Sequence, residues 1–254
     1  MKKAILIGVT LLLIAVGGYC AYRYYQSDVL PEKQIDDAYD AQIELFARVK
    51  PKAHTSDDSS AEHSELLEEA EEVNNAVVAW LTIPDTHIDY PVCQAEDNDF
   101  YLHNGFDGQY NYELGCPFLD YRCEGDFSGF SSVIYGHHMS ERRMFADISL
   151  FADADFMQMH PKGYLTLTDG VHPVTFFAYL TVYPTAPAYH AVFVNDAEKR
   201  ELLEYIFTEA KHTQTLTAED VDETANLLLL STCTYEFDDA RGILVGVINP
   251  CNQE

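Results

Sequence analysis

The sequence predicts a mainly β protein that closes into a barrel, with helices before the first strand and between later strands. Beyond Trp80, short runs rich in Val, Ile, Tyr, Phe and Thr alternate with Gly, Pro, Asp and Asn, a pattern typical of strands and turns. Apolar residues make up 47% of the 254 residues, which is enough for one sizeable core. About seven or eight such runs favour a closed or nearly closed barrel; the clearest are 87–93, 116–121, 131–135, 163–168, 174–183, 226–232 and 242–248.

Two helical segments are predicted before the barrel. The first covers residues 31–50, where apolar side chains recur every three or four residues, as they do on one face of a helix. It ends before Pro51, because proline cannot continue a helix. The second covers 59–78 and overlaps an acidic run, 57–72, which has eight acids and no Lys or Arg and indicates a solvated helix face. Two further helices are predicted as inserts in the barrel, over 142–160 and 196–211.

The N-terminus has the pattern of a membrane anchor. Lys2 and Lys3 precede an uncharged stretch, 4–22, which at helical rise nearly crosses a hydrocarbon core of roughly 30 Å. The lysines predict a cytoplasmic N-terminus and an extracellular remainder. The alternative is a cleaved signal peptide, although no A-x-A site follows. The predicted organisation is a cytoplasmic stub and anchor at 1–26, a helical segment at 27–79 and a barrel domain at 80–254.

Charge and cysteine content exclude several classes of function. The formal net charge of −27 argues against nucleic-acid binding. The six cysteines contain no C-x-x-C pair, so their spacing does not predict a zinc site. No other metal and no cofactor is predicted. Cys116 and Cys123 are close enough in sequence to form a disulfide, and separate buried thiols are an equal alternative.

Three residues at predicted strand ends carry candidate chemistry. A buried strand ends at Cys233, and Arg241 opens the next strand, so a hairpin would bring the two together. A guanidinium beside a cysteine can stabilise a thiolate and an oxyanion. Another strand ends in Gly136, His137 and His138, and an imidazole can exchange a proton with a cysteine nucleophile. Only one of the two histidines should face the thiol, because adjacent residues of an extended chain point to opposite sides.

These motifs resemble the signature of class B sortases, the cysteine transpeptidases of Gram-positive bacteria. The resemblance rests on Gly136–His137, Thr232–Cys233 and the later Arg241. It extends over roughly residues 30 to 250 through further stretches: VVAWLTIP at 77–84, IDYPV at 88–92, NDFYL at 98–102, FLDYR at 118–122, MF at 144–145 and the helical insert at 196–211.

The resemblance implies an eight-stranded sortase-type barrel with N-terminal helices and a helix between late strands. It assigns catalysis to His137, Cys233 and Arg241, and substrate contacts to Asn98, Leu102 and Ser231. The implied reaction cleaves a C-terminal sorting motif of a secreted surface protein after Thr, through a thioester on the cysteine. The acyl group then passes to an amine of a peptidoglycan precursor (lipid II) or of a pilin.

Three other functions remain open at this stage. A pilin-polymerising class B sortase would use the same residues with a lysine amine as acceptor. A cysteine hydrolase would use water in place of the amine. An acidic surface-displayed binding protein would have lost the activity and would leave Cys233 unreactive.

Overall fold

The structure is a computed structural model that describes residues 2–52, 66–112 and 114–251. It begins with α1 (Lys2–Tyr24), a π-helical stretch (Tyr25–Val29) and α2 (Leu30–Val49). Helix α2 confirms the predicted helix at 31–50 to within one residue at each end. Within the described part of the chain, no helix is both long enough and apolar enough to cross a membrane. The structure therefore does not support the transmembrane anchor predicted at 4–22.

Strands and short helices make up the rest of the described chain. The strands are β1 (Val77–Thr82), β2 (Asp89–Cys93), β3 (Phe118–Leu119), β4 (Ser131–Tyr135), β5 (Lys162–Leu167), β6 (Gly170–Val182), β7 (His212–Thr213), β8 (Leu227–Cys233) and β9 (Arg241–Ile248). The α-helices among them are α3 (Glu68–Glu71), α4 (Phe100–His103), α5 (Ala154–Met159) and α6 (Asp196–Glu209). Each of the seven strand runs predicted from the sequence overlaps one of these strands.

Eight of the described strands close into a barrel. Their order is β5-β1-β2-β3-β4-β8-β9-β6, and β6 pairs with β5 to complete the ring. The pairs β2–β3 and β4–β8 are parallel and the others are antiparallel. The short strand β7 adds to β6 outside the ring. The eight-stranded barrel is thus confirmed.

Strand β8 separates two apolar clusters. Leu228 and Leu230 belong to the larger cluster, together with side chains from strands all round the ring and from α2. Leu227 and Leu229 belong to a second cluster, which includes the buried face of α6. Since side chains alternate along a strand, Ser231 and Cys233 share the α6 side of the sheet, which is the outer face of the barrel.

Two of the helical predictions were wrong in part. Of the segment predicted at 59–78, residues 59–65 lie outside the described residues, and only Glu68–Glu71 of the remainder is helical. The Asn74 side chain accepts from Ala76 N–H and donates to the Tyr101 hydroxyl and the Phe106 carbonyl, which turns the chain into β1.

The insert predicted as one helix at 142–160 is a 3₁₀ helix (Phe145–Ala152) followed by α5. Met144 has a φ of 52°, which an α-helix does not accommodate. Asp153 is extended and caps α5 by accepting from the N–H groups of Asp155 and Phe156. The insert at 196–211 is helical as α6, as predicted.

Candidate active site

A pocket of about 460 Å³ opens on the outer face of the barrel where β4 and β8 end and β9 begins. All six residues assigned from the sequence line it: Asn98, Leu102, His137, Ser231, Cys233 and Arg241. The remaining lining residues are Phe118, Tyr135, Gly136 and Thr232. The structure therefore brings every predicted site residue to one place, while their individual roles stay predictions.

The β8–β9 hairpin places Cys233 directly opposite Arg241. Opposite residues of an antiparallel pair project on the same face, so the thiol and the guanidinium share the outer side of the barrel. Arg241 Nη1 donates to the carbonyls of Asp239 (3.0 Å) and Ala240 (3.1 Å) in the hairpin loop. Among the described residues no acceptor binds its Nε or Nη2, so these donors are available to a substrate oxygen.

The parallel pairing of β4 with β8 places the histidine beside the cysteine. Tyr135 pairs with Ser231, and Gly136 N–H continues the ladder by donating to the Ser231 carbonyl at 3.1 Å. Thr232 Oγ1 then donates to the Gly136 carbonyl at 2.8 Å. Two residues beyond the Tyr135–Ser231 pair, the same register places His137 opposite Cys233.

Two glycines allow the backbone to approach closely around this histidine. A Cβ on Gly136 would lie 2.5 Å from the ring of Phe145, which is fully buried. Gly115 has a φ of +64°, and a Cβ there would lie 2.5 Å from the Tyr101 carbonyl and 3.0 Å from His137 Cδ2. A side chain at Gly136 would push against the Phe145 ring, and one at Gly115 against the Tyr101 backbone and the His137 ring, so either would shift His137 or its surroundings.

The orientation of His137 is set by helix α4. Its Nε2 lies 2.8 Å from the Leu102 carbonyl oxygen. A carbonyl only accepts, so Nε2 carries a hydrogen, and Nδ1 is the ring nitrogen that remains for proton exchange. Leu102 thus contributes its backbone to the histidine as well as a side chain to the pocket.

His138 takes no part in the pocket. Its ring packs edge-to-face on Tyr235 at 5.3 Å, and its backbone forms a bridge with Met144. Burial lowers the pKa of His138, which favours its neutral form. The expectation that only one of the two histidines faces the pocket therefore agrees with the structure.

A buried carboxylate that the sequence interpretation missed lies behind the pocket wall. Asp120 is 0% exposed and accepts from Arg122, Tyr135 and Asn98. Burial alone would raise its pKa, but these hydrogen bonds prevail and hold the pKa below the usual aspartate value. The sequence did contain a signal for this residue: Asp120 follows two apolar residues in the FLDYR stretch and stands two residues before Arg122. An acid in a buried stretch needs hydrogen-bond or ionic partners, and the arginine is one.

All six cysteines are free thiols. Cys116 Sγ contacts the Pro91 carbonyl at 3.8 Å and Cys123 Sγ contacts the Ser131 carbonyl at 3.5 Å. Burial raises the pKa of Cys123 to about 11 and that of Cys116 well above its ordinary value. Of the two alternatives for this pair, separate buried thiols is the one that the structure shows.

Comparison with known proteins gives consistent relatives. No model of a protein family matches the chain. Sortase B of Listeria monocytogenes is 32% identical over 181 residues, which are 70% of this chain and 71% of that protein. Sortase B of Staphylococcus aureus is 26% identical over 185 residues, which are 71% and 72% of the two chains.

Solved structures show the same fold. The structure of the Listeria monocytogenes sortase B has a TM-score of 0.63 at 30% identity and covers 71% of this chain and 99% of that one. A Staphylococcus aureus sortase B–substrate complex has a TM-score of 0.72 at 21% identity and covers 85% and 97% of the two chains.

A closed barrel with a cysteine at a strand end on its outer face, together with these relatives, defines the chain as a cysteine transpeptidase of the sortase class. It belongs to the sortase B family.

Proposed function

We propose that this enzyme cleaves a sorting motif after Thr and transfers the resulting acyl group to an amine. The observation that carries the proposal is that Cys233, His137 and Arg241 line the same pocket. The sortase B of Staphylococcus aureus, which is solved as a complex with its substrate, supports a substrate-binding role for this fold.

In the first half of the reaction, the Cys233 thiolate attacks the carbonyl carbon of the Thr residue. The oxyanion that forms is stabilised by the free donors of Arg241, which lies opposite the cysteine on the hairpin. The C–N bond breaks, the leaving amine takes a proton from His137, and a thioester remains on the enzyme.

In the second half, an acceptor amine attacks the thioester carbonyl. His137 Nδ1 accepts a proton from the amine, while Nε2 stays hydrogen-bonded to the Leu102 carbonyl. The C–S bond breaks, an amide forms and the thiolate of Cys233 is restored. Asn98, Leu102 and Ser231 line the pocket beside these groups and are proposed to hold the motif.

The acceptor is proposed to be an amine of a peptidoglycan precursor. A pilin lysine is the second candidate, because a sortase B from a type II pilus of Streptococcus pneumoniae has a TM-score of 0.60 with this chain at 28% identity. Both acceptors are amines, so the same residues would serve them. The family membership also supports action at the cell envelope, and the proposal does not depend on how the chain is retained there.

The test incubates the full chain with fluorogenic peptides that carry Thr at the scissile position. Acceptors are glycine-ended stem peptides, lysine-containing peptides or none, and mass spectrometry records the products. Cys233→Ala is compared with Cys251→Ala, which removes another half-buried thiol outside the pocket. We expect cleavage and amide formation to disappear only in Cys233→Ala.

The acceptor that becomes joined to the Thr-ended fragment distinguishes anchoring from pilin polymerisation. Cleavage that requires Cys233 but never incorporates an amine would instead indicate a hydrolase. Absence of both cleavage and alkylation of Cys233 would contradict the proposal and favour a binding protein.

A further inference from the structure

The carboxylate of Asp120 lies outside the pocket, yet it contacts both sides of it. Its Oδ1 accepts from Arg122 N–H and from Arg122 Nε, each at 2.9 Å. Its Oδ2 accepts from Arg122 Nη2 (2.7 Å), Tyr135 OH (2.9 Å) and Asn98 Nδ2 (2.9 Å). Five hydrogen bonds therefore fill the acceptor positions of one fully buried carboxylate and fix its orientation.

On one side of the pocket, Asp120 fixes the Asn98 carboxamide. Asn98 Oδ1 accepts from Tyr121 N–H at 3.0 Å while Nδ2 donates to Asp120, so the amide can adopt only one orientation. The second hydrogen on Nδ2 has no acceptor in the described parts of the chain. It is therefore available to a ligand in the pocket that Asn98 lines.

On the other side, Asp120 acts through two routes that meet at Tyr189. Arg122 Nη2 also donates to the Tyr189 carbonyl at 3.2 Å. Tyr135 stacks on Tyr189, with ring centroids 6.0 Å apart and 19° between the planes. The Tyr189 hydroxyl lies 2.8 Å from Ser231 Oγ, and Ser231 lines the pocket. The buried carboxylate thus holds three lining residues from distant parts of the chain: Asn98 and Tyr135 directly, and Ser231 through Tyr189.

We propose that Asp120 is a positioning residue for the donor peptide: it touches no reacting atom, and it holds Asn98 and the Tyr189–Ser231 pair at the spacing that binds the sorting motif. The proposal rests on the proposed function, since it concerns the same pocket. No hydrogen bond among the described residues joins the side chains of Cys233, His137 or Arg241 to this network. Tyr189 does interact electrostatically with Cys233 and Arg241, but no hydrogen bond transmits its position to them, so peptide binding should depend on Asp120 more than the chemistry does.

The chain offers a matched control for the alternative of a purely structural ion pair. Asp147 is also almost fully buried and also accepts from one arginine, through Arg142 Nε (2.6 Å) and Nη2 (2.8 Å), and from the backbone N–H of His87. The His87 ring nitrogen Nδ1 lies 2.9 Å from the same carboxylate, so Asp147, like Asp120, also has side-chain partners besides its arginine. It does not line the pocket. Asp147→Asn therefore removes a buried charge of the same kind but leaves the hydrogen bonds that hold Asn98 and the Tyr189–Ser231 pair in place.

The experiment compares the full-length wild type with Asp120→Asn and Asp147→Asn below the melting temperature of each. It measures kcat and KM for a cleaved sorting peptide, the pH profile of Cys233 alkylation by iodoacetamide, and the NMR signals of the Asn98 side-chain amide. We expect Asp120→Asn to raise KM about tenfold, with kcat within about twofold, an unchanged alkylation profile and shifted Asn98 signals. Asp147→Asn should lower the melting temperature and leave KM and the Asn98 signals unchanged.

An unchanged KM in Asp120→Asn, or equal KM changes in both variants, would overturn the inference. If the wild type cleaves no peptide, the proposed function fails on its own. In that case the Asn98 signals decide the positioning role: a shift in Asp120→Asn alone supports it, and equal signals in both variants overturn it.

Discussion

Thr232 connects the strand of the nucleophile to the strand of the histidine. It is 2% exposed, and its hydroxyl donates to the Gly136 carbonyl across the β4–β8 pair at 2.8 Å. Replacing it by valine keeps the shape and removes the donor, which leaves a buried carbonyl with less compensation. We expect Thr232→Val to lower the free energy of unfolding by about 1 to 2 kcal/mol and to reduce kcat, because His137 follows Gly136 directly.

Thr166→Val is the control for this change. The Thr166 side chain is also buried in a strand, but its hydroxyl has no hydrogen-bond partner. Its replacement should be neutral or slightly stabilising. Urea unfolding and peptide cleavage measure both variants, and equal effects of the two substitutions would contradict the role given to Thr232.

Single residues also show what the sequence could and could not predict. The local pattern placed Cys233, His137 and Arg241 at strand ends, and the resemblance to class B sortases singled them out as the candidate catalytic set. Tyr189 was not, because its contact with Ser231 joins residues 42 positions apart through a short 3₁₀ turn without a sequence signal. Gly115 was missed for a similar reason: its left-handed φ matters only because Tyr101 and His137 lie against it.

Among the elements, helix α2 packs against strands β1 and β2 of the barrel. Phe46 is 3% exposed and meets the rings of Trp80 and Tyr90 at 6.3 Å and 5.7 Å. Gln42 on the same helix donates to the Gly115 carbonyl at 3.2 Å, and a Cβ on Gly115 would lie 3.0 Å from His137 Cδ2. The helix therefore supports the wall of the site from behind.

The periodicity of the sequence predicted α2 and α6 well, because each buries one continuous apolar stripe. It failed over 142–160, where a residue with positive φ, Met144, delays the start of the first helix and the capping aspartate Asp153 separates that helix from the second. The signal for such a break is weak in sequence, since Met144 has no intrinsic preference for a left-handed backbone.

From this packing we expect Phe46→Ala to lower the free energy of unfolding by about 3 to 5 kcal/mol, through the lost burial and the cavity left behind. Arg48→Ala, at an exposed position of the same helix, should have little effect. Chemical denaturation gives both values. A small effect of Phe46→Ala would mean that α2 is not an integral part of the folded domain.

At the scale of the whole molecule, the net charge of −27 opposes compaction at neutral pH. Salt screens this repulsion, so raising NaCl from low concentration to about 0.5 M at pH 7 should increase the melting temperature. The gain should shrink as the pH approaches about 4 to 5, where many carboxylates are protonated. Calorimetry at both pH values measures the difference, and a salt effect that does not depend on pH would contradict the explanation by net charge.

Acidification below about pH 4 should destabilise the protein, even though it reduces the repulsion between negative charges, because the carboxylates of the buried ion pairs become protonated. Asp120 and Asp147 are both desolvated by burial, but hydrogen bonds from Arg122 and Arg142 outweigh that effect and hold each pKa below the ordinary value. A depressed folded-state pKa gives stability that is present above the unfolded-state pKa, about 3.9, and is lost as the pH falls through the folded-state value. The wild type should therefore lose stability steeply below about pH 4, and Asp120→Asn and Asp147→Asn, which lack one such carboxylate each, should lose less over the same range. Unfolding free energies measured from pH 6 to pH 2 test this, and parallel curves for all three proteins would show that other carboxylates control the acid limb.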